Sequence, residues 1–209
     1  FDGLKVSAFY VKKGLYCLLM WAPTAGAVLE WYKNNFCEDF SLKEIDQLAD
    51  NVPEGSEGLI ALPYLCGTVM PQNKPNAKGV FFGVELKHTR AHFARAIMES
   101  VAYMIKEYVQ FLGIDINEIR SMGGGAKSKL WCSIKSKVLN KRIATLQQNE
   151  TACLGSAIFA GVGIGAYNNV ESAVDTLVKK NLTYEPQPSN YDKLYEDYKN
   201  KEKVIMQLF

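Results

Sequence analysis

Residues 114–131, IDINEIRSMGGGAKSKLW, decide the fold class. The first nine residues, 114–122, are typical of a short strand, and three consecutive glycines follow at 123–125. An apolar helical pattern then begins, with Leu130 and Trp131 near its start. A strand, a glycine turn and the amino end of a helix together form an α/β unit, and the free N–H groups of such a helix end attract anions.

The triple glycine at 123–125 has two interpretations. One is a plain turn from strand to helix. The other is a place where a phosphate or a nucleoside lies against the main chain, because glycine has no Cβ and reaches positive φ. Two known motifs are excluded by spacing: a P-loop needs glycine where Ala126 stands, and a dinucleotide fingerprint needs glycine where Ser128 stands.

Composition sets broad limits on the function. The chain has 209 residues, enough for one good core or two small ones, and a net charge of +2 gives no electrostatic argument for nucleic acid or membrane binding. No apolar run approaches the roughly 18 residues of a membrane span. The five cysteines are widely spaced, which predicts free thiols in a reducing, cytoplasmic compartment and no zinc site. No metal-binding residues are predicted.

Strand and helix patterns alternate along the rest of the chain, which indicates a layered α/β architecture. Helices are predicted at 25–36, 41–52, 89–112, 127–139, 151–167, 170–180 and in a tail after 190. Strands are predicted at 5–11, 14–20, 58–65, 79–86, 114–122 and 142–147, and 184–189 is predicted to be a linker. Ser41 and Glu44 have the spacing of a capping box.

Four segments resemble the FGGY family of carbohydrate kinases, in matching order over about 1–180. GVFFGVELKHTRAHFARAIMES at 79–100 resembles the second signature of the family. Residues 121–146 resemble its phosphate-side loop and the helix that follows, and 150–167 resemble the next segment. TAGAVLEWY at 24–32 resembles a helix start that faces the nucleotide. The most similar subgroup is the pentulose kinases, which include xylulose kinases.

The resemblance implies a fold and a reaction. The implied fold is the C-terminal domain of an actin-like ATPase with a ribonuclease H-like core, covering 1–183, with a linker and a tail helix at 184–209 packed on the same domain. The implied reaction is transfer of the γ-phosphoryl group of ATP, with Mg²⁺, to a pentulose such as xylulose, as two domains close over both substrates. The implied partners are therefore ATP and a sugar, without nucleic acid or membrane.

The same resemblance places the nucleotide contacts. Gly125 matches a glycine that approaches ATP, and Gly26 matches a backbone contact near the phosphates or ribose. Two positions depart from the family, since Lys129 stands where some relatives have Asn and Glu30 where some have Gln. The full implied set is Gly26, Glu30, Gly124, Gly125, Ala126 and Lys129.

In the family the general-base Asp and the sugar-binding domain precede the matched segment. The resemblance therefore implies an N-terminally truncated kinase half, with no catalytic residue in this chain and no sugar phosphorylation by the chain alone. The stretch 67–71 also lacks a Glu-Arg pair that many pentulose kinases carry. The alternative function is a non-catalytic module on the same scaffold that senses a nucleotide or sugar, or that serves assembly. Truncation of the first strands would leave a sheet edge and an apolar face uncovered, which predicts a homo-oligomer or poor solubility.

Three further side chains have structural interpretations. Glu99, inside the long predicted helix, is expected to be a hydrogen-bond partner rather than a catalyst. Cys132 and Cys153 fall in apolar helical surroundings and are expected to be core thiols. The lysines of helix 127–139, Lys135 among them, are expected to lie away from its apolar face.

Overall fold

The computed structural model describes residues 6–209, which form two units. The first unit combines the chain up to Asp115 with Asn190–Phe209, and the second comprises Ile116–Ser189. Residues 1–5, which include the first residue of the predicted strand 5–11, lie outside the described part.

Within residues 6–115 and 190–209, the first unit has two small antiparallel sheets and four α-helices. Strands β1 (Ser7–Lys12) and β2 (Leu15–Leu19) form a hairpin, in which Gly14 adopts a φ of 79°. Strands β3 (Ile60–Leu62) and β4 (Val80–Phe82) pair in the second sheet. The helices are α1 (Gly26–Phe36), α2 (Leu42–Asp50), α3 (Arg90–Leu112) and α7 (Tyr191–Ile205).

Local signals explain where α2 and α3 begin and end. The predicted capping box at α2 is confirmed: the Ser41 N–H donates to a Glu44 carboxylate oxygen at 2.8 Å, and the Glu44 N–H donates to the Ser41 hydroxyl at 3.3 Å. Helix α3 is capped in a similar way, since the Thr89 N–H donates to Nδ1 of His92 at 3.2 Å. It ends at Gly113, whose left-handed φ of 61° suits glycine.

Helix α3 forms the centre of the first unit, because its middle is buried from Ala94 to Met104. Helix α7 packs on it through tyrosines: the rings of Tyr191, Tyr195 and Tyr198 lie within 4.8–6.2 Å of the Tyr103 ring. Aromatic pairs contribute about 0.5–1.5 kcal/mol each beyond the burial of their area, so this stripe helps to hold α7 on α3.

The second unit is a three-stranded sheet with helices. Its elements are β5 (Glu118–Ser121), α4 (Lys129–Leu139), β6 (Arg142–Leu146), α5 (Thr151–Gly163), α6 (Val170–Leu177) and β7 (Lys180–Tyr184). Strand β6 is central, parallel to β5 and antiparallel to β7. The parallel pair requires the β5–α4–β6 crossover that the sequence predicts.

Three expectations from the sequence are wrong. The sequence pattern predicts a helix that ends at Lys180 and a linker that begins at Tyr184, with no element between them, but Lys180–Tyr184 form strand β7. Cys153 is exposed, whereas Cys132 is buried as expected. Lys135 is buried instead of solvated, with 8% of its surface exposed.

None of the helices formed by residues 6–209 is long and apolar enough to cross a membrane.

Candidate functional site

The glycine turn, residues 123–126, connects β5 to α4. Gly123 has φ 71° and ψ −159°, a conformation that only glycine adopts without strain. The turn is closed by two hydrogen bonds: the Ala126 N–H donates to the Gly123 carbonyl at 3.2 Å, and the Lys127 N–H donates to the Gly124 carbonyl at 3.1 Å. The backbone conformation therefore requires glycine at position 123, whereas at 124 and 125 the reason for glycine lies in the space beside each residue.

The outer side of the glycine turn is open. Gly124 is exposed, and a Cβ placed there would meet no atom within 4 Å. The N–H groups of Gly124 and Gly125 donate to no carbonyl of the described chain, residues 6–209. Two adjacent N–H groups without side chains around them suit a ligand with hydrogen-bond acceptors that approaches the main chain.

The start of α4 adds positive potential beside the glycine turn. The Ser128 hydroxyl caps the helix by accepting from the Trp131 N–H at 2.9 Å. Lys129 occupies the first helical turn and is exposed. The amino end of a helix carries about half a positive charge, and a lysine at the same place increases the attraction for an anion.

Lys135 lies on the inner side of the glycine turn. Its Nζ is 3.2 Å from the Ser121 hydroxyl, 3.4 Å from the Gly125 carbonyl oxygen and 4.9 Å from the centre of the Trp131 ring. Burial lowers the pKa of this amine below its usual value. A Cβ on Gly125 would come within 3.3 Å of Nζ, so glycine at 125 leaves room for the ammonium group.

A cleft of about 280 Å³ lies beside the turn in the second unit. It runs between the start of α4 and the carboxyl end of β6, the edge at which open α/β sheets bind their ligands. Lys127 and Lys129 give it positive charge. Its lining comprises Ala126, Lys127, Lys129, Thr145, Leu146, Gln147, Asn149, Asn181, Leu182 and Tyr184.

The two remaining predicted residues belong to the first unit. Gly26 is the first residue of α1, is exposed, and has no atom within 4 Å of a Cβ placed on it. Glu30 is exposed one turn later on the same helix. The structure thus brings Gly124, Gly125 and Ala126 together with Lys129 in one turn and the helix after it, and it places Gly26 and Glu30 on one helix of the first unit.

A larger cavity, about 500 Å³, lies in the first unit between α1, β4 and the start of α3. None of the sequence-predicted site residues lines it. Its walls are mainly aromatic, and the Arg90 guanidinium is paired with Asp39 at 3.0 Å, so it offers little charge to a phosphate. Its lining is Tyr32, Phe36, Phe81, His88, Thr89, Arg90 and Phe93.

Lys135 is the residue beside the glycine turn that sequence reasoning missed. One signal for it exists, since Trp131 and Lys135 are four residues apart on a helix and so lie on the same face. That spacing predicts an aromatic–lysine contact but gives no hint of burial, which depends on Ser121 and Gly125.

The α/β fold, the glycine turn and the start of α4 agree with a carbohydrate kinase domain. Residues 6–164 match the model of the C-terminal domain of the FGGY family of carbohydrate kinases, and the chain belongs to that family. The family predicted from the sequence is confirmed, and so is the fold, an actin-like ATPase domain with a ribonuclease H-like core.

Several proteins that the chain resembles in sequence or in structure are xylulose kinases. The chain is 37% identical over 177 residues to the xylulose kinase of Staphylococcus epidermidis, which covers 83% of this chain and 36% of that enzyme. The xylulose kinase structure from Rhodospirillum rubrum superposes with a TM-score of 0.83 at 27% identity, covering 98% of this chain and 43% of that one. The Lactobacillus acidophilus xylulose kinase shares the fold, with a TM-score of 0.86 at 23% identity over 96% and 42% of the two chains. The chain therefore spans well under half the length of these relatives.

Proposed function

We propose that this chain is the nucleotide-side part of an ATP-dependent sugar kinase that phosphorylates a pentulose such as xylulose. One observation carries the proposal: the glycine turn has two open N–H groups at the start of α4, beside a cleft with two lysines. The names of the relatives support the sugar class, since the Staphylococcus epidermidis and Rhodospirillum rubrum proteins are xylulose kinases.

We assign the nucleotide contacts as the resemblance suggests. Gly124 and Gly125 approach the nucleotide with their N–H groups, Ala126 supports the turn between them and α4, and Lys129 contributes charge. In the first unit, Gly26 and Glu30 form a second place of approach at the start of α1. At Gly26 and Gly124 the absence of a side chain leaves the main chain open to a ligand.

Magnesium is assigned to the phosphates of ATP. Residues 6–209 contain no cluster of three or more His, Cys, Asp or Glu side chains suited to a metal. When bound, Mg²⁺ neutralises charge on the β- and γ-phosphates, and the protein contributes positioning and electrostatic stabilisation. The described chain orients the nucleotide through main-chain N–H groups and lysines.

The sugar site and the general base are assigned to the rest of a longer enzyme. The chain covers 36% of the Staphylococcus epidermidis xylulose kinase. The family resemblance implies that the proton-accepting Asp and the sugar domain precede the matched segment. We therefore expect this chain by itself to bind nucleotide without phosphorylating a sugar. Phosphorylation of xylulose by the isolated chain would contradict this assignment.

Calorimetric titration with Mg-ADP tests the nucleotide site. A Gly124→Asp variant places a carboxylate on the open side of the turn, and we expect it to weaken binding about tenfold or more through repulsion of the phosphates. Gly125→Asp is less suitable because its carboxylate would stand beside Lys135. Asn169→Asp is the matched control, since it adds the same charge in the same unit while keeping the cap of α6. Absence of binding by the unmodified chain at millimolar nucleotide, or equal binding by Gly124→Asp, would reject the proposed site.

We also propose that the chain self-associates through its first hairpin. Tyr10 and Tyr16 form a cross-strand pair, with ring centres 5.8 Å apart, and are 65% and 64% exposed. Phe9 and Leu19, on the opposite face of the hairpin, are also exposed, and exposed apolar surfaces favour association. Sedimentation of the chain beside a Tyr10→Lys/Tyr16→Glu double variant tests this, because the variant keeps a cross-strand pair but removes the aromatic surface from that face of the hairpin. Identical monomeric sedimentation of both would contradict the proposal.

A further inference from the structure

We propose that Lys135 is a positioning residue of the glycine turn, whose ammonium group holds the Gly125 carbonyl toward the interior so that the Gly124 and Gly125 N–H groups face a bound nucleotide. The inference rests on the proposed nucleotide-binding function. It assigns a role to a side chain that lies behind the turn and so would not itself touch the nucleotide.

The geometry fixes one peptide unit from both sides. The Gly125 carbonyl oxygen accepts from Lys135 Nζ at 3.4 Å, and the N–H of the same peptide, on Ala126, donates to the Gly123 carbonyl at 3.2 Å. A trans peptide directs its C=O and N–H oppositely, so these two hydrogen bonds together set its orientation. The second donor contact of Nζ, to the Ser121 hydroxyl at 3.2 Å, ties the turn to the end of β5.

A run of three glycines needs such a constraint. Glycine has more backbone freedom than any other residue, and a turn made of glycines loses more entropy when a ligand orders it. Fixing the turn before binding removes part of that cost, and affinity rises accordingly. Lys135 is placed to do this because the missing Cβ of Gly125 leaves the space that its Nζ occupies.

The burial of the Lys135 ammonium group is not explained by a gain in folding stability. Lys135 is 8% exposed, and its contacts within residues 6–209 are the Ser121 hydroxyl, the Gly125 carbonyl and the Trp131 ring, with no carboxylate among them. The nearby polar groups are the Ser121 hydroxyl, the Gly125 carbonyl and the Cys132 thiol, whose sulfur lies 3.8 Å from that same carbonyl oxygen. Burying an ammonium group without a carboxylate is unfavourable, which agrees with a pKa lowered by burial.

The test compares three variants of the full chain. Lys135→Met keeps most of the length of the side chain and its apolar stem but removes the ammonium group. Lys135→Arg keeps a charged donor, and Lys137→Met makes the same replacement two residues along the same helix. Each is measured for Mg-ADP affinity by calorimetry, for thermal unfolding, and for amide hydrogen exchange of residues 123–126.

Positioning predicts a specific combination of results. Lys135→Met should bind Mg-ADP about tenfold more weakly and exchange the Gly124 and Gly125 amides faster, while its unfolding midpoint stays within about 3 °C of the original or rises. Lys135→Arg should recover most of the affinity, and Lys137→Met should retain all of it. Unchanged affinity in Lys135→Met would overturn the inference, as would a loss of affinity that only follows a loss of stability.

The design separates this inference from the proposed function. Failure of the unmodified chain to bind Mg-ADP rejects the nucleotide site in this chain. Hydrogen exchange then decides on Lys135 alone: faster exchange at 123–126 in Lys135→Met still supports positioning of the turn, and unchanged exchange overturns it.

Discussion

The phenolic oxygen of Tyr191 lies 2.8 Å from Oε1 of Glu99, although 92 residues separate them in the chain. Arg95 binds both of these residues: its Nη2 donates to the Tyr191 hydroxyl at 2.7 Å, and its Nε donates to the Glu99 carboxylate at 2.9 Å. Glu99 also accepts from the Gly55 N–H at 3.0 Å and from the Ser56 hydroxyl at 3.1 Å. The structural role predicted for Glu99 is confirmed: it joins α3, α7 and the turn before β3.

Replacing Glu99 by Ala should destabilise the chain strongly. The guanidinium of Arg95, 5% exposed, would lose its carboxylate partner inside the protein, and breaking a buried pair from one side costs about 3–5 kcal/mol. Urea unfolding measures the loss. Glu196→Ala, an exposed position on α7, is the control and should change the unfolding free energy by about 0.5 kcal/mol at most. Similar small effects in both would show that the buried group does not hold α7.

Alanine should be tolerated at Gly124 but not at Gly123. Gly123 has φ 71° and ψ −159°, and a Cβ in that conformation costs about 1–3 kcal/mol. Gly124 has open space around its Cβ position, so Gly124→Ala should be neutral or slightly stabilising. Chemical denaturation of the two variants gives the comparison, and an equal loss of stability in both would argue against the backbone described for this turn.

Glutamine in place of Glu30 should strengthen nucleotide binding. Glu30 is exposed on α1, one turn after Gly26. Under the proposed assignment its carboxylate would stand near the phosphates of the nucleotide and repel them. We expect Glu30→Gln to tighten Mg-ADP binding about two- to fivefold at low salt, with a smaller gain at high salt. Glu38→Gln removes the same charge after the end of α1 and serves as the control. Weaker binding by Glu30→Gln, or an equal gain in both variants, would contradict the assignment of α1.

The capping box of α2 should lose its charge-dependent part in acid. Hydrogen bonds from the Ser41 N–H and then from its hydroxyl lower the pKa of the Glu44 carboxyl. The folded chain therefore binds this proton less tightly than the unfolded chain does. The resulting stability is fully present above the unfolded pKa of about 4.3 and disappears as the pH falls through the lower, folded pKa.

The matched variant for this prediction is Glu44→Gln, which keeps an acceptor but cannot ionise. Its thermal midpoint should lie below that of the original chain at neutral pH, and the gap should narrow as the pH falls below about 4. A gap of constant size between neutral and acid pH would show that the charge of Glu44 contributes nothing.

Local features of the sequence predicted much of the fold. The start of α2 depends on two residues three positions apart, and the turn into α4 depends on consecutive glycines, so both are visible in one sequence. Strand β7 is different, because its residues are mostly exposed and their pattern is weak. It forms because Thr183 and Tyr184 pair with the open edge of β6, which only the folded sheet provides.

Only part of the candidate site could be predicted from the sequence, because only that part depends on residues that are close together in the chain. The turn at 123–126 and the start of α4 follow from the sequence and the family resemblance. Lys135 does not, since a lysine in a helix with four lysines is normally solvated. Its burial depends on partners 14 and 10 residues away, Ser121 and Gly125, whose positions are set by the packing of β5 against α4.

The first unit is interrupted in the chain by residues 116–189 and is completed by α7. During synthesis, α3 emerges from the ribosome well before Tyr191 is translated. The side chains of Glu99 and Tyr103 that α7 later buries therefore stay exposed while the second unit is translated. The second unit is continuous in sequence, and its described strands have all been translated by Ser189. We therefore expect the second unit to fold first on the ribosome, although it comes later in the sequence, and the first unit to acquire full protease resistance only after the last residues emerge.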